Sequence, residues 1–105
     1  ILRMKPRPTA LLCTNDLMAF GALRAAHQFN VNVPKALSII GFDNLPVCDM
    51  VTPPLSSVDI PRRDMASHMF RMLMKASESK QFQKLPTPQI KTSLKLRAST
   101  ARAPR

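Results

Sequence analysis

The sequence is short of the residues on which several classes of protein depend. Its 105 residues include no tryptophan or tyrosine, so it lacks the row of aromatic side chains on which single-stranded nucleic acids stack. Two cysteines, Cys13 and Cys48, are too few for a disulfide scaffold and do not have the spacing of metal ligands. No apolar run is long enough to cross a bilayer, so we do not expect a membrane protein.

Glycine is as scarce as cysteine. Two glycines stand against ten prolines, which predicts stiff and numerous connections between elements. The sequence does not begin with methionine, and it opens on a basic stretch broken by prolines, from Ile1 to Pro8. We therefore expect it to be a piece of a longer protein. No signal-peptide pattern opens it, which favours a cytoplasmic location.

Acidic residues are also few, with six against sixteen lysines and arginines, and the formal net charge is +10. Such an excess would suit nucleic acid if it were concentrated on one face. The basic residues are instead spread along the chain, from Arg3 through Arg62 to Arg105, which is typical of a solvated surface. A basic module that binds nucleic acid on its own remains an alternative, and a failure to bind duplex DNA at low salt would exclude it.

Two polar pairs each follow an apolar run. Asn15-Asp16 comes after the run from Ala10 to Cys13, and Asp43-Asn44 comes after the run from Leu37 to Phe42. Because a helix is predicted between them, the two runs are expected to be neighbouring parallel strands of a βαβ unit. The carboxyl ends of such strands meet at one edge, where open α/β sheets bind ligands. The sequence thus predicts an α/β fold with a site for a small polar molecule at this edge.

The predicted first helix has an apolar stripe and one aromatic side chain outside it. Asn30 suits the turn that ends the helix, and Phe20 falls among polar residues, which indicates a partner surface. At helical spacing the stripe that should face the core contains Met18, Ala22, Ala25, Ala26 and Phe29.

The second half of the chain contains a third strand from Ser56 to Ile60 and a second helix from Pro61 to about Ser77, with Asp59 as its cap. A polar linker is expected from Ser79 to Pro88. From Ile90 to Arg97 apolar and polar residues alternate, which predicts a half-buried edge strand. The basic tail that follows, from Ala98 to Arg105, is expected to fray.

Nothing in the sequence supports an enzyme. It has no nucleophile elbow, no phosphate loop and no pair of carboxylates spaced for acid–base chemistry. His27 and His68 fall on polar helix faces without a carboxylate or cysteine at ligand spacing. No catalytic residue, metal or cofactor is therefore predicted.

Five motifs occur in an order and spacing that resemble a known family. The set is similar to the C-terminal part of the lactose/galactose repressor family of bacterial transcription regulators. The motifs are PTALLCTNDLMAFGALR from Pro8 to Arg24, Val33-Pro34, SIIGFDN from Ser38 to Asn44, Thr52-Pro53-Pro54-Leu55, and Arg97-Ala98-Ser99-Thr100.

The resemblance implies a periplasmic-binding-protein-like effector domain, a parallel-sheet sandwich of two α/β lobes, of which this chain holds mainly the second. It implies that residues 1–60 form the βαβ segment of that lobe and that residues 61–78 form a helix packed on the missing first lobe. Residues 79–105 would supply a linker, an edge strand and a tail. The helix-turn-helix headpiece that normally precedes such a domain has no counterpart in this sequence.

The resemblance also implies that Asn15 and Asp43 bind the effector, which in the family is a sugar, a sugar acid or a nucleobase. This agrees with their chemistry, because a carboxylate accepts from two adjacent hydroxyls and an amide both donates and accepts. Asp16 is expected to cap the helix rather than to bind the effector. One departure is Ile60, where the family commonly has a glutamine, so one hydrogen-bonding group is lost.

The implied assembly is a homodimer, and the implied function is that of a ligand-responsive transcription regulator whose absent headpiece binds operator DNA. The alternative is a solute-binding protein of a transport system with the same fold. A signal peptide upstream of this chain would favour transport, whereas a helix-turn-helix would favour regulation. The residues expected at the dimer interface are Phe20, Arg24, Val47, Met50 and Val51.

Overall fold

The computed structural model describes residues 1–79 and 89–103, so the predicted linker lies, apart from Ser79, outside the described residues. The chain divides into two compact units, one of residues 1–59 with 93–105 and the other of residues 60–92. In chain order the elements are β1 (Ala10–Leu12), α1 (Asp16–Gln28), β2 (Ser38–Phe42), a 3-10 turn (Pro46–Asp49), β3 (Ser56–Asp59), α2 (Arg62–Ser79) and β4 (Ser93–Lys95).

The strands of the first unit form one four-stranded sheet in the order β1-β2-β3-β4. β1 pairs with β2 and β2 with β3 in parallel, while β4 runs antiparallel to β3. The registers set Leu12 opposite Ile40 and Phe42 opposite Val58. The predicted α/β fold with a parallel βαβ unit is therefore confirmed, and the carboxyl ends of β1, β2 and β3 share one edge.

The core of this unit lies between α1 and β2, where Ala19, Leu23 and Ala26 are buried together with Ile39 and other apolar residues. The predicted stripe of α1 is wrong at its ends, because Met18 is 57% and Phe29 49% exposed. The helix is rotated so that Asp16 also faces inward, and its carboxylate is buried with hydrogen-bond partners from the sheet and the following loop. The packed face of α1 therefore combines the apolar residues Ala19, Leu23 and Ala26 with one polar residue, Asp16.

β4 is the predicted edge strand, but it is not half-buried: all three of its residues are exposed, and Leu94 within it and Leu96 just after it are 51% and 70% exposed. β4 is the last strand of the sheet, whereas the hydrophobic cluster surrounds β2, so alternation alone does not bury these leucines.

The tail after β4 is also different from expectation. Ser99 is fully buried, its hydroxyl donates to Ile39 O at 2.6 Å, and it accepts from Ser56 N at 2.8 Å. The amide of Ala101 donates to Ser38 Oγ at 3.1 Å. The prediction that the tail frays is wrong for residues 98–101, because backbone groups of β2 and β3 and the hydroxyls of Ser38 and Ser56 bind it.

The second unit contains α2, which begins at Arg62, so Asp59 is the end of β3 and does not occupy the cap position predicted for it. The helix carries large apolar side chains that are more than half exposed, namely Met69, Phe70 and Leu73. Throughout residues 1–79 and 89–103, neither helix combines the length and the apolar character needed to cross a membrane.

Candidate functional site

The strand register places the two predicted effector residues at the same edge of the sheet. Asn15 and Asp43 each lie three residues beyond the paired residues Leu12 and Ile40. Phe42 and Val58 are paired, and the residues directly after them are Asp43 and Asp59, the last residue of β3. One carboxyl edge therefore carries two carboxylates and the amide of Asn15, together with Asn44 in the next position.

Asn15 forms the cap of α1. Its backbone is extended, with φ −155° and ψ 168°, and its Oδ1 accepts from the amide of Met18 at 2.8 Å. The cap role predicted for Asp16 thus falls to the residue before it, because a capping side chain must precede the first helical residue. The Nδ2 group of Asn15, which the cap does not use, is the part that can donate to a ligand.

Asp43 and Asn44 both have positive φ angles, of 108° and 49°. Few residues with side chains adopt this region, and each such residue costs on the order of 1 to 3 kcal/mol. The amide of Asp43 continues the ladder to Val58 O at 2.9 Å, and that of Asn44 donates to Ser57 Oγ at 3.0 Å. A strained pair at the end of a central strand is where the predicted ligand carboxylate lies.

Asp16 lies fully buried beneath this loop. Its Oδ2 accepts from the amide of Leu45 at 2.7 Å and from the thiol of Cys48 at 3.2 Å. Its Oδ1 accepts from the hydroxyl of Ser57 at 2.6 Å, and that hydroxyl in turn accepts from the amide of Asn44. Asp16 therefore joins the start of α1 to β3 and to the loop after β2, so that its function is to hold the edge together.

Cys48 belongs to the same buried network. Burial and its hydrogen bond to Asp16 raise the pKa of the thiol to about 11. The thiol therefore remains protonated at neutral pH, and it serves as a hydrogen-bond donor and not as a nucleophile.

Arg97 fixes the loop from the other side. Its side chain is only 15% exposed, and it donates from Nη2 to Asn44 Oδ1 and from Nη1 to Leu55 O, both at 2.8 Å. It also forms a two-point ion pair with Asp49, from Nε at 2.5 Å and from Nη2 at 3.2 Å. The Arg97 guanidinium lowers the pKa of the Asp49 carboxyl, and Asp49 raises the pKa of Arg97.

Arg97 and Asp59 are not among the site residues predicted from the sequence. Asp59 Oδ1 accepts from Asn44 Nδ2 at 3.0 Å, so Asn44 is held between Asp59 and Arg97. The partners of Arg97 lie 42 to 53 residues earlier in the chain, and no local pattern reports such contacts. The position of Asp59 at the end of the third parallel strand is the pattern that could have predicted its place at this edge.

The predicted interface residues are partly brought together. A cavity of about 380 Å³ is lined by Phe20, Arg24 and Val51, with Leu23, His27 and Thr52. Val47 and Met50 lie in and just after the 3-10 turn, where they are 38% and 81% exposed.

Comparison with known proteins gives a consistent result. Residues 1–100 match the periplasmic binding protein-like domain. The HTH-type transcriptional repressor PurR of Vibrio atlanticus (strain LGP32) is 33% identical over 84 residues, which cover 80% of this chain and 25% of that protein. This chain therefore spans about a quarter of the length of the curated relatives that it matches.

Solved structures also match most of the chain. A sugar-binding transcriptional regulator of the LacI family from Escherichia coli, complexed with phosphate, has a TM-score of 0.73 and 35% identity, covering 91% of this chain and 34% of that one. The transcriptional regulator CelR in complex with cellobiose has a TM-score of 0.78 and 28% identity, covering 90% of this chain and 28% of that one.

Proposed function

This chain belongs to the periplasmic binding protein-like family as part of an effector-binding domain, and from that membership we propose that the whole protein is a ligand-responsive bacterial transcription regulator. An effector bound at the carboxyl edge of the sheet would control DNA binding by a helix-turn-helix headpiece outside this chain. The repressor function named for the curated relatives and the sugar-binding regulators among the similar structures support this proposal. The same relatives are not enzymes, which agrees with a binding role.

The observation that carries the proposal is the polar edge formed after three parallel strands. Asn15, Asp43, Asn44 and Asp59 place two carboxylates and two amides at one edge, where Asn44 is bound to Asp59 and Arg97 and so supports the others. Carboxylates accept hydrogen bonds from hydroxyl groups, and amides complete the pattern as donors and acceptors. Two carboxylates also repel an anion, so the edge favours a neutral polyhydroxylated effector over a sugar acid, with a nucleobase as the second candidate.

The dimer and the domain roles belong to the same proposal. Phe20, Arg24 and Val51 line one cavity and Met50 is strongly exposed, which suits an interface between two copies of the protein. The exposed apolar residues of α2 support a role for residues 61–78 in packing on the first lobe, and residues 1–60 and 79–105 would supply the second lobe and its edge. We place this regulator in the cytoplasm, where its operator DNA is.

The test uses a full-length protein that contains this chain. Titrations with D-ribose, cellobiose, gluconate and guanine by calorimetry should give binding of a neutral sugar, and that sugar should change the affinity for DNA upstream of its own gene by about 5- to 150-fold. Asp43→Asn should abolish the response while tolerating the positive φ. Asp64→Asn, which alters an exposed carboxylate of α2, is the matched control. DNA binding that ignores all four compounds would count against the proposal.

A solute-binding protein of a transport system has the same fold and the same kind of edge. The curated relatives favour regulation, because they are repressors. The coding sequence before Ile1 separates the two functions: a helix-turn-helix supports regulation, and a signal peptide supports transport.

A further inference from the structure

The strained pair Asp43 and Asn44 needs partners that hold it, because a backbone in the left-handed region relaxes when its surroundings allow. Asn44 is held at three points. Its backbone amide donates to Ser57 Oγ, its side-chain Nδ2 donates to Asp59 Oδ1, and its side-chain Oδ1 accepts from Arg97 Nη2. With both ends of the side-chain amide engaged, the side chain cannot rotate without breaking a hydrogen bond.

Arg97 alone among these partners spans the whole loop between β2 and β3. Its guanidinium contacts Asn44 at the start of the loop, Asp49 in the 3-10 turn and the carbonyl of Leu55 at the end. A planar fork with five donors can serve three acceptors in fixed directions, which a lysine ammonium on a flexible stem cannot. One side chain therefore sets the shape of a loop more than forty residues away in sequence.

We propose that Arg97 is a positioning residue of the effector site: it acts through Asn44 to keep the Asp43 carboxylate in the orientation that receives the effector. This inference rests on the proposed function, since it concerns the same edge. Arg97 need not touch the effector. Its effect passes through the hydrogen bond to Asn44, next to Asp43 in the chain, and a displaced ligand group binds its partner less tightly.

The experiment uses a full-length protein and has one arm that needs no effector. Hydrogen exchange measured by mass spectrometry on peptides that cover residues 43–50 should show faster exchange in Arg97→Met than in the parent. Arg97→Lys should behave like Arg97→Met, because the charge remains but the fork is lost. Asn44→Gly, which keeps the positive φ but removes the amide held by Arg97, should raise exchange in the same peptides even if Arg97→Met does not fold.

Ser99→Ala is the matched structural control. It breaks the bonds of the same C-terminal segment to Ile39 and Ser56 but leaves the contacts of Arg97 to the loop in place. This variant should lower the melting temperature without faster exchange at residues 43–50. Equal exchange in Arg97→Met and Ser99→Ala would overturn the proposal.

The second arm measures the affinity for D-ribose and for cellobiose. Arg97→Met and Asn44→Gly should each weaken binding of the sugar that the parent binds by about tenfold. The double variant should bind no more weakly than either single variant, because both substitutions remove the same hydrogen bond between Arg97 and Asn44. Faster exchange with unchanged affinity, or additive losses, would overturn the effector role of Arg97. If the parent binds neither sugar, the preference for a neutral sugar is wrong, and the exchange arm alone decides whether Arg97 positions the loop.

Discussion

The carboxylate of Asp16 lies against the α-carbon of Gly41, so close that a Cβ at Gly41 would collide with Asp16 Oδ1. That Cβ would also lie 3.2 Å from the Asp16 Cα and 3.1 Å from a methyl group of Leu55. The glycine is therefore required by contact with α1 and not by its backbone angles. It lets a buried carboxylate reach the sheet from the first residue of a helix.

Gly41→Ala should destabilise the protein by about 2 to 3 kcal/mol, the usual cost of overpacking a core that cannot yield. Chemical denaturation measures this change. Gly21→Ala is the control, because nothing lies within 4 Å of a Cβ at that position, and it should be neutral or slightly stabilising. Equal effects at the two glycines would contradict the close approach.

Asp16→Asn should cost about 3 kcal/mol, since an amide cannot accept from the Leu45 amide, the Cys48 thiol and the Ser57 hydroxyl together. Asp49→Asn is its exposed counterpart. The Asp49 side chain is 68% exposed, so loss of its charge should destabilise the protein far less than Asp16→Asn does. Comparison of the two unfolding curves tests whether the buried Asp16 carboxylate contributes more to stability than the exposed Asp49 carboxylate.

The raised pKa of Cys48 predicts a loss of stability in alkali. In the folded state the pKa is about 11 against an ordinary value of 9.0, so the folded protein favours the neutral thiol. This contribution is complete below pH 9 and is lost as the pH rises to 11. Cys48→Ser keeps a donor for Asp16 and removes this titration, so the unfolding free energies of the two proteins should diverge over that range. Parallel pH profiles would contradict the burial of a protonated thiol.

Met50→Arg should weaken the proposed dimer by roughly thirtyfold or more, as expected when a charge replaces a central apolar contact. Light scattering across a dilution series of the full-length protein measures the change. Met4→Arg alters a methionine of similar type that is 56% exposed and lies outside the proposed interface. Met4→Arg should leave the dimer intact. Dissociation of the dimer by both variants would contradict the proposal that Met50 lies at the interface.

The isolated 105-residue chain should self-associate through α2. Met69 and Leu73 are 57% and 55% exposed on this helix, and such neighbouring apolar side chains favour association. Met69→Glu with Leu73→Glu should yield a smaller species in light scattering, whereas Arg63→Glu on the same helix should not. A monodisperse monomer of the unaltered chain would contradict this expectation.

The order of strands and helices could be predicted because its signals are local. Apolar runs, Asn15 before α1 and Pro34 after it mark where elements begin and end. The parallel pairing then brought Asn15 and Asp43 to one edge without further information. Their role toward an effector stays a prediction.

The rotation of α1 and the role of Arg97 could not be predicted in this way. Asp16 faces the sheet because Leu45, Cys48 and Ser57 supply donors that are 29 to 41 residues distant in sequence. Leu94 and Leu96 follow the alternation of an edge strand, but their burial depends on what covers the strand. Each failure concerns a polar group or a face whose environment is built by remote parts of the chain.

The binding of the tail to β2 and β3 has a consequence for the synthesis of the protein. Ile39 donates its amide to Ser99 O at 2.8 Å, and the amide of Ser99 donates to Pro54 O at 2.9 Å. A nascent chain that has emerged from the ribosome only as far as Lys95 therefore contains every strand of the sheet but not the segment that binds β2 and the loop before β3. Until residues 97–101 emerge, the partners of Ser99 at Ile39 and Pro54 stay unpaired, and such an incomplete sheet is open to chaperones and proteases.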